Sequence, residues 1–164
     1  MTQTTMPPAR KIDLNSAGLR RHGLFAGVTE QELQELMALF RVGHWPRGER
    51  IVAEGDCGST LYVVHQGGVD VLKQIVSRQG SRTAKITSLS EGDTFGEMAL
   101  LDQEPYTASV VTNADSVVLA LDNTDVRKLN PRIYATMLAN LAREVSRRLN
   151  ATDSYFATSL FSNH

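Results

Sequence analysis

The sequence predicts a mainly β domain, a sandwich or barrel with helices at both ends, on three observations. From about residue 41 to 122, short apolar stretches alternate with glycine-marked turns: Pro46-Arg47-Gly48, Glu54-Gly55-Asp56, Gly67-Gly68, Gly80-Ser81 and Glu91-Gly92-Asp93. Inside those stretches Val69 and Val71, and Val117, Leu119 and Leu121, recur with the period of two expected of half-buried strands. On either side of the region the apolar spacing changes to three and four, the helical period.

The composition bounds what such a domain does. The chain has 164 residues, enough for one domain with a real core, and its 41% hydrophobic and 21% charged content is ordinary for a globular protein. A net charge of −1, with Lys and Arg scattered, argues against a DNA-binding surface held by bulk charge. The single cysteine, Cys57, excludes an internal disulfide and has no Cys-His metal spacing around it, so reducing, cytoplasmic surroundings fit best. His22, His44 and His65 read as isolated, and no metal site or cofactor is expected. No apolar run approaches membrane-spanning length, and no apolar signal core follows the polar start. With no nucleophile elbow, Walker loop or paired-carboxylate motif, no catalytic residue and no enzyme activity are expected.

In chain order, residues 1–13, polar and proline-containing, are assigned to a disordered tail, and 14–155 to the domain. SAGLRRHGLFAG reads as a short helix and a turn with Leu24 and Phe25 inward. TEQELQELMALF, 29–40, is a helix: Thr29 and Glu32 form a capping box, and Leu33, Leu36, Met37 and Phe40 an apolar stripe. The strand stretches are RIVAE, LYVVHQ, VDVLKQIV, TAKITSL, TASVVT and SVVLAL, with RQGSRTAK (78–85) as an exposed hairpin tip. Residues 97–101, Glu-Met-Ala-Leu-Leu, are strong helix formers set after Gly96 within the β region. A helix starting there aims free backbone N–H groups outward, the geometry that binds anions. Asn130-Pro131 starts the last helix, about 130–155, leaving 156–164 as a C-terminal tail. Its stripe of Met137, Leu141, Val145, Leu149, Thr152, Phe156 and Leu160 is longer than packing on a small barrel requires, so the helix is a candidate to meet a second copy.

Two stretches carry a resemblance. Glu54-Gly55-Asp56-Cys57-Gly58-Ser59-Thr60-Leu61-Tyr62-Val63-Val64 with Gly67, and Gly92-Asp93-Thr94-Phe95-Gly96-Glu97-Met98-Ala99-Leu100-Leu101 with Pro105, are similar to the turn-and-strand pattern and the phosphate-binding cassette of the cyclic nucleotide-binding domain. That family includes bacterial catabolite-activator-type regulators and the regulatory subunits of cyclic-nucleotide-dependent kinases. From residue 19 to 155 the resemblance implies an eight-stranded jelly-roll (double-stranded β-helix) barrel with N-terminal helices and a long C-terminal helix. The ligand it implies is cyclic AMP, cyclic GMP or a related small anionic molecule.

Carried over by position, the resemblance assigns Phe95, Gly96, Glu97, Met98, Ala99, Tyr106, Thr107 and Ala108 to the ligand. Gly96 admits the ribose and Glu97 accepts its 2′-hydroxyl. Met98 and Ala99 offer backbone N–H to a phosphate oxygen. Thr107 donates its hydroxyl or N–H, and Val110 and Leu61 stand near the ligand in the barrel. Arg147-Arg148-Leu149-Asn150-Ala151-Thr152 is similar to the bacterial branch, where a threonine at the place of Thr152 bonds the adenine; the Arg147-Arg148 pair itself reads as a solvated helix face.

The pattern departs at one position: the family's Pro-Arg reads Pro105-Tyr106 here. A guanidinium forks two phosphate oxygens with charge-assisted bonds, whereas a phenol offers one neutral bond. Two outcomes stay open, a ligand bound more weakly with help from Arg82, Lys85 or Lys73, and a phosphate site that Tyr106 itself fills. The expected function is a stand-alone regulatory or sensor domain signalling through its C-terminal helix. The alternative is a degenerate, ligand-independent interaction or dimerisation module. Few residues follow Phe161, where bacterial relatives carry a helix-turn-helix, so no direct DNA binding is expected.

Overall fold

Period-two apolar stretches separated by glycine turns fold into two antiparallel sheets. The computed structural model describes residues 14–78, 80–98 and 104–161, with side chains as far as residue 151. One sheet runs in the order β1 (Arg41–Trp45), β8 (Ser116–Asp122), β3 (Thr60–Gln66), β6 (Thr94–Phe95). The other runs β2 (Arg50–Val52), β7 (Ser109–Thr112), β4 (Gly68–Ser77), β5 (Gly80–Ser90). This is the jelly-roll barrel, with short helices before it and one long helix after it.

Parity along β3 and β8 sorts side chains between two cores. Leu61, Val63, Leu119 and Leu121 point to the helices, where they meet Leu19, Leu24, Phe25, Leu33, Leu36, Ile133 and Met137. Tyr62, Val64, Val118 and Ala120 point into the barrel, against Ile51, Val52, Val69, Leu89, Phe95 and Val110. The expectation of half-buried strands therefore fails for β8: both faces are covered, so its residues from Ser116 to Leu121 are all buried. The period of two separates one core from the other, not core from solvent.

The helices form where local chemistry permits. Asn15 accepts from the Gly18 N–H at 2.8 Å and starts α1 (Ser16–Arg20). A single 3-10 turn, Gly23–Phe25, follows and buries Leu24 and Phe25. Thr29 and Glu32 close the expected capping box on α2 (Glu30–Met37), the Thr29 N–H donating to the Glu32 carboxylate at 2.8 Å. After α3 (Asn123–Val126), α4 runs Pro131–Phe161 and so takes in residues 156–161, which the sequence reading left to a tail. Asn140 ties α4 to the 3-10 turn, its amide donating to the carbonyls of Leu24 at 2.9 Å and Ala26 at 2.8 Å. Among the described residues, no helix is long and apolar enough to cross a membrane.

Three further expectations change. RQGSRTAK is not all tip: pairing runs from Ser77↔Gly80 through Leu72↔Lys85, so residues 80–85 are strand. β1 and β6 were not among the apolar stretches, because β1 carries Gly43 and His44 at its centre and β6 is two residues long. His22 and His65 are not isolated: His22 Nε2 and His65 Nδ1 are 2.9 Å apart and buried, joining the N-terminal segment to β3. Burial, then the neighbouring His65, lowers the His22 pKa to about 4, and burial lowers that of His65 as well.

Candidate ligand-binding site

The site begins where β6 ends. Phe95 pairs with Tyr62 across the sheet, and their rings stack with centroids 4.8 Å apart and an interplanar angle of 11°. At Gly96 the backbone takes φ +82°, and a Cβ there would lie 2.4 Å from the Thr60 carbonyl oxygen. Only glycine permits that approach. The chain then turns helical at Glu97 and Met98.

Beside this turn lies a cavity of about 900 Å³. Val52, Val71, Leu89 and Val110 give it an apolar barrel wall. Phe95, Gly96, Glu97 and Met98 form a second side, Tyr106, Thr107 and Ala108 a third, and Arg148 and Ala151 of α4 a fourth. Of the residues the resemblance assigns to a ligand, Phe95, Gly96, Glu97, Met98, Tyr106, Thr107 and Ala108 line this cavity, whereas Ala99 and the side chain of Thr152 lie outside the described residues. Leu61 does not join them: its side chain belongs to the helix-facing core, one residue out of phase with the cavity.

Tyr106 is held from both ends. Its N–H donates to the Asp56 carbonyl at 3.0 Å and its carbonyl accepts from the Gly55 N–H at 2.8 Å, so the Glu54-Gly55-Asp56 turn fixes its backbone. Its ring packs against Gly58, where a Cβ would come within 2.2 Å of Cε2 and 2.3 Å of the hydroxyl oxygen. The hydroxyl donates to the Thr60 carbonyl at 3.4 Å. Burial, then the neighbouring Tyr62, pushes the Tyr106 phenol well above the usual tyrosine range, so it stays neutral. Burial raises Tyr62 likewise.

The charges around the cavity are Lys85, Asp93, Glu97 and Arg148. Lys85 sits 3.6 Å from Asp70. Lys73 is engaged beside the cavity, 2.8 Å from the Glu54 carboxylate and bonded to the Thr107 carbonyl, and Arg82 is not on the lining. Arg148 pairs with Glu144 one turn earlier on α4 and stands 3.8 Å from Asp93. Its place on the cavity corrects the reading of Arg147-Arg148 as a solvated face, which holds for Arg147 alone. On α4 Arg148 shares a side with the buried Leu141 and Glu144, and the docking of the helix turns that side to the cavity. Among the described residues, no three His, Cys, Asp or Glu side chains gather into a metal site.

Comparison with known proteins agrees with this architecture. A family model for the cyclic nucleotide-binding domain matches residues 42–130. The cyclic AMP receptor protein of Thermus thermophilus is 33% identical over 130 residues, 79% of this chain and 58% of that protein. The cAMP-dependent protein kinase regulatory subunit of Blastocladiella emersonii is 33% identical over 113 residues, 69% of this chain and 27% of that protein. This chain thus spans less than two thirds of either relative. The crystal structure of Thermus thermophilus catabolite activator protein superposes with a TM-score of 0.70 at 32% identity, over 85% of this chain and 63% of that one. A cyclic nucleotide-binding domain from Methylobacillus flagellatus shares the fold, with a TM-score of 0.76 at 23% identity over 87% of this chain and 80% of that one.

Proposed function

Because this chain belongs to the cyclic nucleotide-binding domain family, we propose that it is a regulatory module whose cavity takes cyclic AMP, cyclic GMP or a related small anionic ligand, and whose C-terminal helix carries the response. One observation carries the reading: the cavity is walled on one side by the turn from Phe95 to Met98 and on another by Arg148 and Ala151 of α4. A ligand there touches both, and it shifts the helix by as much as it binds the closed arrangement better. The outer side of α4 leaves Tyr134, Leu138, Val145 and Leu149 exposed, a surface for a second copy or a partner protein.

Tyr106 sets the affinity. By the motif resemblance it stands where the family carries the phosphate-binding arginine, and it supplies no charge, its neutral hydroxyl donating a hydrogen bond to the Thr60 carbonyl. Charge-assisted bonds contribute roughly 1.5–3 kcal/mol each. At ~1.4 kcal/mol per decade their loss weakens a cyclic nucleotide by about two to three decades. Arg148, with Lys85, is a cation on the lining that offsets part of this.

Calorimetry with cyclic AMP and cyclic GMP tests the reading. Weak binding is expected, and Tyr106→Arg strengthens it about a hundredfold. Absence of heat and of any thermal shift at millimolar ligand, in both forms, rejects a cyclic-nucleotide site. The packing of the Tyr106 ring on Gly58 favours the second reading in that event, a ligand-independent dimerisation or interaction module. Light scattering then gives a dimer with or without nucleotide.

A further inference from the structure

One buried carboxylate stands between α4 and the ligand-binding turn. Glu144 is 7% exposed, and its Oε1 accepts the backbone N–H of Thr94 at 3.1 Å. Thr94 is itself fully buried and precedes Phe95 and Gly96 on the cavity wall. The same Oε1 accepts from the guanidinium of Arg148, which lines the cavity. The same guanidinium nitrogen stands 3.8 Å from Asp93, the residue before Thr94. A single oxygen therefore joins the helix, the strand that leads into the turn, and the cation that meets the ligand.

Two demands fall on that oxygen. Without ligand it is the acceptor that pins α4 to β6, and the buried N–H of Thr94 has no cheap substitute for it. An anion in the cavity draws Arg148 toward itself, because the guanidinium's charge-assisted bonds are divided among the acceptors around it. Glu144 and Asp93 are among the competing acceptors. We infer that Glu144 is the positioning residue that couples ligand to helix: it holds Arg148 back from the ligand and releases it only as the helix-to-strand contact at Thr94 is rearranged. This rests on the reading that the cavity takes an anionic ligand.

Three variants separate this role from ordinary packing. Glu144→Gln keeps an acceptor for Thr94 but no longer holds Arg148 by charge. Arg148→Gln removes the cation. Glu144→Ala removes both of the carboxylate's bonds. Cyclic AMP and adenosine, which shares the base and ribose but lacks the phosphate, are titrated into the full chain carrying Tyr106→Arg, to raise affinity into a measurable range. Amide exchange at Thr94 is read without ligand. Glu144→Gln is expected to tighten cyclic AMP several-fold and leave adenosine unchanged. Arg148→Gln is expected to weaken cyclic AMP by about tenfold, the order of one charge-assisted bond. The double variant is expected to behave as Arg148→Gln alone.

Equal effects of Glu144→Gln on both ligands, or a gain that survives without Arg148, overturn the inference. Should neither ligand bind any form, the ligand reading has failed and the helix contact is judged by exchange alone. Thr94 must then exchange at least about tenfold faster in Glu144→Ala than in Glu144→Gln. Equal rates overturn the coupling as well.

Discussion

The two faces of the sheet β1-β8-β3-β6 are made from the same strands and end differently. The face carrying Leu61, Val63, Leu119 and Leu121 is sealed by the helices, with the His22–His65 pair at its border. The face carrying Tyr62, Val64, Val118 and Ala120 opens toward a cavity of about 900 Å³ whose lining holds the Tyr106 phenol and four charged side chains. The sealed face supplies stability through dense packing. The open face has space, and it maintains that space with glycines, a neutral tyrosine and ion pairs. A substitution is therefore felt as lost stability on one side and as altered binding on the other.

The sharpest break of the comparison is a cavity made on the sealed face. Leu121 is fully buried there, and Leu121→Ala is expected to cost about 2–5 kcal/mol in denaturant unfolding, from lost burial and the space left behind. Because its side chain points away from the ligand cavity, binding of cyclic AMP to the Tyr106→Arg form is expected to change by less than about twofold. A binding loss as large as the stability loss would show that the two faces are not separate.

The border of the sealed face responds to pH. Burial keeps the His22–His65 pair neutral in the folded protein, with Arg21 adding to the effect and Glu91 opposing it. The unfolded chain takes up protons near pH 6.5, while folded His22 does so only near 4. Between these values the unfolded state binds more protons, so stability is full above pH 6.5 and falls as the pH drops toward 4. The loss from His22 is at most about 3 kcal/mol. Urea unfolding at pH 7.5, 6, 5 and 4 reads it, and His22→Gln should flatten the curve between 6.5 and 4. A wild-type curve already flat there removes the pair from the energetics.

Sequence carried these two faces unequally. The Thr29–Glu32 box and the glycine turns are local events, complete within a few residues, and they form where they were expected. Alternation gives the parity of β8 but not which core each side meets, and the resemblance places near the ligand a Leu61 that faces the helices. β6 is too short for any period to register. The turn from Phe95 to Met98 was legible because a whole motif marks it. Arg148 was not, since Arg147 beside it points about 100° away on the helix and only the docking of α4 decides which one enters the cavity. His22 and His65 lie 43 residues apart, a contact no local pattern announces.

The open face is probed most finely at Gly58. The Tyr106 ring sits where a Cβ on Gly58 would stand, with Cε2 at 2.2 Å and Cζ and the hydroxyl oxygen at 2.3 Å. Gly58→Ala therefore forces the ring to move, at a cost of about 1–2 kcal/mol, the order of mild overpacking. The clash is with a side chain and not with the backbone, so it should vanish when the ring is gone. In the Tyr106→Ala background, adding Gly58→Ala is expected to cost less than about 0.5 kcal/mol. A full coupling between the two sites means that the tyrosine is seated in a slot built by glycine, and that it stays out of the cavity because this slot holds it. The same cost in both backgrounds would mean instead that Gly58 matters for its own backbone. Tyr106 would then be free to swing toward a ligand, and the open face would have a movable side where the geometry gives it a fixed one.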